Sequence, residues 1–119
     1  MINSKKKGNT GERELAKILT DTYGFECRRT QQFCGKGGES ADIVGLPFIH
    51  CEVKRVEKLN IDDALEQATR DCKEGRIPVV FHRKNKKKWK ATLDLDMFMA
   101  IYGEYYSSMI LSGGEDSEK

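Results

Sequence analysis

The chain has 119 residues, 38% of them hydrophobic, and its 21 Lys+Arg against 19 Asp+Glu leave a net charge of +2. That is one small domain, too short for two and able to bury about two thirds of its unfolded surface. It holds no run of roughly 18 apolar residues, which excludes a membrane-spanning helix, and its lysine-bearing start lacks the apolar stretch of a secretory signal, so a cytoplasmic protein is expected.

Residues 1–10 are polar and lysine-rich and predict a basic flexible arm. From Gly11 to Tyr23 the pattern turns helical. Leu15, Ile18, Leu19 and Thr22 recur on one face, Thr10 is the candidate N-cap, and Glu12 and Glu14 sit in the first turn. Phe25–Thr30 predicts a short strand, and Gln31–Ser40, with its glycines, a loop. Ala41–Gly45 and Phe48–Val53 read as the two strands of a hairpin. Asp62–Glu74 predicts a second helix, with Ile61, Ala64, Leu65, Ala68 and Cys72 on its apolar stripe. Pro78–His82 and Trp89–Leu93 predict strands around a charged turn at 83–88. Asp94 could cap a last helix to about Leu111, and residues 112–119 read as a disordered acidic tail. The order α-β-β-β-α-β-β-α predicts an α/β domain over 11–111, a mixed central sheet flanked by helices.

The small net charge hides an asymmetry. Residues 1–90 hold 20 basic and 13 acidic side chains, a net +7, whereas residues 91–119 hold one lysine and six acids, a net −5. A basic body suggests an anionic partner, nucleic acid first. The cysteines, Cys27, Cys34, Cys51 and Cys72, have long irregular gaps without zinc-ligand spacing, and read as reduced thiols. His50 and His82 stand alone in the sequence and receive no role.

The segment Asp42–Lys54 carries the chemistry. Strand alternation puts Glu52 and Lys54 on one face and Val53 on the other, and a hairpin could bring Asp42 beside Glu52. Two adjacent carboxylates repel unless a proton or cation joins them, and a hard ion such as Mg²⁺ suits oxygen ligands. Glu12 falls on the apolar side of its helix and could supply a third carboxylate; Gln67, bordering the Ala64–Ala68 stripe, could reach the same place. Such a group suits phosphodiester hydrolysis. The alternative is a solvated strand face with an ordinary ion pair to Lys54.

Four stretches resemble the PD-(D/E)xK nucleases, and more narrowly the archaeal-type Holliday junction resolvases and their phage relatives. Lys7–Leu15 (KGNTGEREL) is similar to their opening KGxxxERxL helix, Gly35–Asp42 to the loop before the first metal acid, and Glu52-Val53-Lys54 to the ExK motif; Gln67 stands where these enzymes have a helical glutamine. Ala41 replaces the proline that names the motif. The resemblance implies a restriction-endonuclease-like fold. It also implies metal coordination by Asp42, Glu52 and the Val53 carbonyl, a catalytic Lys54 and an assisting Glu12. Mg²⁺, with Mn²⁺ as substitute, would be the metal, branched DNA the substrate and a homodimer the assembly.

Lys5, Lys6, Lys7, Arg13, Arg28, Arg29 and Lys36 would then lie on the rim of the site as phosphate contacts. Lys84, Lys86, Lys87, Lys88 and Lys90 read instead as lysines protecting an edge strand. The last helix carries more apolar residues than one stripe needs, which fits either a broad buried face or a partner subunit. Other readings are a non-cleaving nucleic-acid-binding module, a general duplex nuclease, and a metal-free RNA endonuclease.

Overall fold

The computed structural model describes residues 4–30 and 41–113, with the backbone alone for residues 4–9. Helix α1 runs Ser4–Tyr23, strand β1 Arg28–Arg29, β2 Ile43–Val44, β3 Ile49–Arg55, helix α2 Ile61–Asp71, β4 Ile77–Arg83, β5 Lys90–Thr92 and helix α3 Leu95–Leu111. Every predicted element within the described residues is present in the predicted order. The main correction is the start of α1. The segment read as a flexible arm is helical from Ser4 onward, and Thr10 lies inside the helix rather than capping it. Lysine is a good helix former, and a wholly polar turn has no apolar period by which to announce itself. Ser112 and Gly113 continue from α3 as a turn; the rest of the acidic tail, and the Gln31–Ser40 loop, lie outside the described residues.

The five strands form one sheet in the order β1-β2-β3-β4-β5. The β1–β2, β2–β3 and β4–β5 pairs are antiparallel, while β3 and β4 run parallel in unbroken register from Ile49–Ile77 to Arg55–Arg83. The parallel pair follows from its connection: α2 crosses over the sheet and returns the chain in the same sense. Asn60 starts that helix, accepting a hydrogen bond from the Asp63 amide at 3.1 Å.

The sheet is covered on both faces. Leu15 and Ala16 of α1 pack against Ile43, Cys51 and Val53. Ala64 and Ala68 of α2 pack against Val80 on the other side. Strand β3 is therefore buried over four successive residues, His50 to Val53. Gly11 lets α1 approach closely: a Cβ there would stand 2.6 Å from Cβ of Arg55. Helix α3 behaves differently. None of its residues is buried, and Phe98, Tyr102, Tyr105, Tyr106 and Met109 are all exposed.

Candidate active site

Alternation along β3 sends Cys51 and Val53 toward α1, and His50, Glu52 and Lys54 toward α2. Glu52 and Lys54 thus share a face, as the sequence pattern requires. That face is not a solvated surface, however, because α2 crosses it, and Glu52 is only 2% exposed. Lys54 remains half-buried, and its Nζ donates to Oε1 of Gln67 at 3.4 Å. Gln67 reaches it because it sits on α2 between Ala64 and Ala68, the two residues that seat the helix on the sheet.

Asp42 joins this group from β2. Its amide donates to the Cys51 carbonyl at 2.8 Å, and its Oδ2 accepts from the Val53 amide at 2.8 Å. The carboxylate of Asp42 is therefore bonded to the peptide that follows Glu52. The structure joins Asp42 to Val53 and Lys54 to Gln67, with Glu52 next to Val53 in the chain and on the same strand face as Lys54.

Glu12 stands apart from them. It belongs to α1, on the other side of the sheet, and its Oε1 accepts from Nε of Arg29 at 2.8 Å. Arg29 pairs with Ile43 in the β1–β2 register, which explains why it faces α1. Among the described residues no three of the His, Cys, Asp and Glu side chains cluster closely enough to hold a metal ion. Among the described residues Glu12 is thus engaged by Arg29 rather than grouped with other acids.

His50 is the residue the sequence reading missed. It is fully buried, and its Nε2 lies 3.1 Å from Oε1 of Glu52. With Glu52 ionised, Nε2 must carry the proton, since a carboxylate only accepts. The bond orients the carboxylate and leaves its second oxygen for another ligand. The signal for it was present: positions 50, 52 and 54 share one face of a strand. Nδ1 of His50 is buried without a partner among the described residues.

The donor set fits a hard divalent cation. Two carboxylates and a backbone carbonyl offer oxygen ligands only, and Mg²⁺ typically takes one or two protein carboxylates while keeping several waters. Cys51 is no competitor. Burial, with the charges of Asp42 and Glu52 nearby, pushes its thiol up to about 12, so it is a small core residue and not a nucleophile.

Of the predicted phosphate contacts, Arg13, Arg28 and Arg29 line one open groove between α1 and β1. Lys5, Lys6 and Lys7 belong to the first turns of α1, and Lys36 lies outside the described residues.

A family model described as "Phage putative PDDEXK endonuclease" matches residues 3–112. No curated protein and no solved structure matches the chain.

Proposed function

The chain belongs to the phage PDDEXK endonuclease family, and from that premise we propose a divalent-metal-dependent DNA endonuclease that acts on branched DNA as a homodimer. Mg²⁺ is the expected metal and Mn²⁺ its substitute. The observation that supports the reading is the bond from the Val53 amide to Asp42, which ties the Asp42 carboxylate to the peptide between Glu52 and Val53, on the strand whose Glu52 and Lys54 share a face.

In this reading Asp42, Glu52 and the Val53 carbonyl hold the cation. Once bound, it would stabilise the negative charge that develops on the phosphoryl oxygens. His50 fixes the orientation of Glu52. The Lys54 ammonium donates to the attacking water or to a non-bridging phosphate oxygen, and Gln67 keeps it from swinging away. Glu12 assists from the α1 side by aiming Arg29, which with Arg13 and Arg28 neutralises neighbouring phosphates. A cytoplasmic location agrees with the free thiols of Cys27 and Cys51.

What supports the homodimer is α3, an apolar helix with no buried residue. A two-fold pair would set two sites on one four-way junction.

The test is cleavage of a four-way junction and of a plain duplex in Mg²⁺ and in Mn²⁺. Wild type is expected to cut the junction preferentially, and Asp42→Asn and Glu52→Gln to lose at least about a hundredfold in rate. Equal cutting by all three proteins removes the assigned site. Preference for plain duplex replaces the junction reading with a general nuclease. Tight binding without cutting in either metal makes the chain a binding module.

A further inference from the structure

Five lysines, Lys84, Lys86, Lys87, Lys88 and Lys90, crowd the connection between β4 and β5. Protection of an edge strand accounts for only one of them. Strand β5 is the sheet edge, and it begins at Lys90; the other four stand in the turn, where there is no ladder to protect. All five are exposed, and among the described residues none has a carboxylate partner.

The turn that carries them is anchored at its base. Glu14 of α1 takes two partners from it: Nε1 of Trp89 donates to its Oε1 at 2.7 Å, and Nε of Arg83 lies 2.9 Å from the same oxygen. The Arg83 guanidinium stands 5.9 Å from the Trp89 ring centre, and its Nη1 donates to the Lys87 carbonyl at 2.8 Å. On the other side the Asn85 amide donates to Oε2 of Glu57 at 2.9 Å. The carboxylates of Glu14 and Glu57 are thus spent on the stem and backbone, and among the described residues the lysine charge faces outward without a carboxylate partner.

The position is as telling as the charge. Lys54 pairs with His82 and Arg55 with Arg83, so the turn begins just past the end of β3 that carries Lys54. At about 3.3 Å per residue its tip stands on the order of 10 Å beyond Lys54, roughly three base-pair steps along a duplex. Gly11 of α1 packs at Arg55, so the lysine-rich first turns of α1 run past the same end of the sheet.

We propose that the β4–β5 turn is a preorganised ribbon that grips the phosphate backbone of duplex DNA a few nucleotides from the cleaved bond. This rests on the nuclease reading for its position but not for its chemistry, which needs only a polyanion of regular spacing. Lysines are point charges, so the grip sets affinity and register and reads no sequence. Because the stem is already fixed, little ordering cost falls on binding.

The test measures binding of a fluorescent duplex by the full Glu52→Gln chain, with and without Lys84→Gln, Lys87→Gln and Lys88→Gln, from roughly 50 to 200 mM salt. These positions avoid Lys86, whose backbone is left-handed (φ 62°). The triple variant is expected to flatten the slope of log affinity against log salt by about 0.9 per lost contact, and to bind about tenfold or more weakly at mid-range salt. Arg70→Gln, on the exposed side of α2, removes one charge as a control and should leave the slope unchanged. An unchanged slope and an affinity within about twofold, in a triple variant with the parent's melting temperature, overturn the proposal. If wild type cuts nothing while the triple variant still flattens the slope, the nuclease reading fails and the ribbon stands.

Discussion

At the residue scale, His50 and Glu52 show how a buried charge is kept useful. A carboxylate that is 2% exposed needs a partner, and His50, two residues back on the same strand face, supplies it. His50→Leu should therefore raise the Mg²⁺ concentration for half-maximal cleavage by about tenfold or more, as losses of supporting partners at metal sites do. A lower melting temperature with an unmoved Mg²⁺ requirement would reduce His50 to a packing residue. His82 makes the opposite adjustment. Burial first, and then the charge of Lys90, hold its pKa below the ordinary histidine value, and its Nε2 meets Oγ1 of Thr92 at 2.8 Å. The folded chain then binds this proton less readily than the unfolded chain does. The contribution to stability is present above the unfolded pKa of about 6.5 and is lost as pH falls through the folded value. Urea midpoints at about pH 7.5 and 5.5 should drop further for wild type than for His82→Gln. The sequence could expose Glu52 and Lys54 as a pair, because alternation is a local rule. It could not expose the burial of Glu52 or the partner of His50, since both depend on which helix crosses that face.

At the element scale, the two helices that flank the sheet were legible for the same reason. Ala64 and Ala68 mark the buried stripe of α2 as expected, whereas on α1 the expected face is buried at Leu15 and partly at Leu19, Ile18 and Thr22 are exposed, and Ala16 is buried beside Leu15. What the pattern did not reveal is how close α1 comes. Its polar first turns carry no apolar rhythm, and a lone glycine gives no hint of its neighbour. In the folded chain Gly11 faces Arg55, and an added Cβ would meet Cβ at 2.6 Å and Cγ at 3.0 Å. The obstruction at Cβ cannot swing aside as a flexible end would. Gly11→Ala should thus force α1 away from β3 and cost about 1–3 kcal/mol, despite alanine's better helix propensity. Denaturant unfolding measures it. A gain in stability would mean that helix propensity outweighs the contact. The cost should also reach Glu12, the next residue on the helix, and so disturb its ion pair with Arg29.

For the whole molecule, the question is why an apolar helix stands in water. Along α3, Phe98, Tyr102, Tyr105, Tyr106 and Met109 lie on one half of the helical wheel, and Leu95, Met99 and Ile110 extend it. Tyr102 is the centre of that face, with the rings of Phe98, Tyr105 and Tyr106 at 6.1, 6.3 and 6.3 Å. The sequence showed the surplus of apolar residues but not its destination, because composition alone does not distinguish a helix laid on its own sheet from one offered to a partner. The described residues leave the whole helix unburied, which favours the partner, and a second copy is self-complementary by symmetry. Association of two such faces would remove contiguous apolar and aromatic surface from water, the kind of patch monomers rarely display. Wild type should accordingly sediment at about twice its 13.6 kDa. Tyr102→Asp places an unpaired charge at the centre of the proposed contact, where desolvation is most costly. It should convert the dimer to a monomer. Because Tyr102 is 45% exposed and its ring contacts among the described residues are with Phe98, Tyr105 and Tyr106 of its own helix, the fold itself should lose little, within about 0.5 kcal/mol. Sedimentation equilibrium together with denaturant unfolding separates the two effects. Wild type at 13.6 kDa across the concentration range would refute the dimer. If the dimer forms, the monomeric variant should still bind DNA through its own basic groups while losing paired incision of a junction, since each subunit would then act alone.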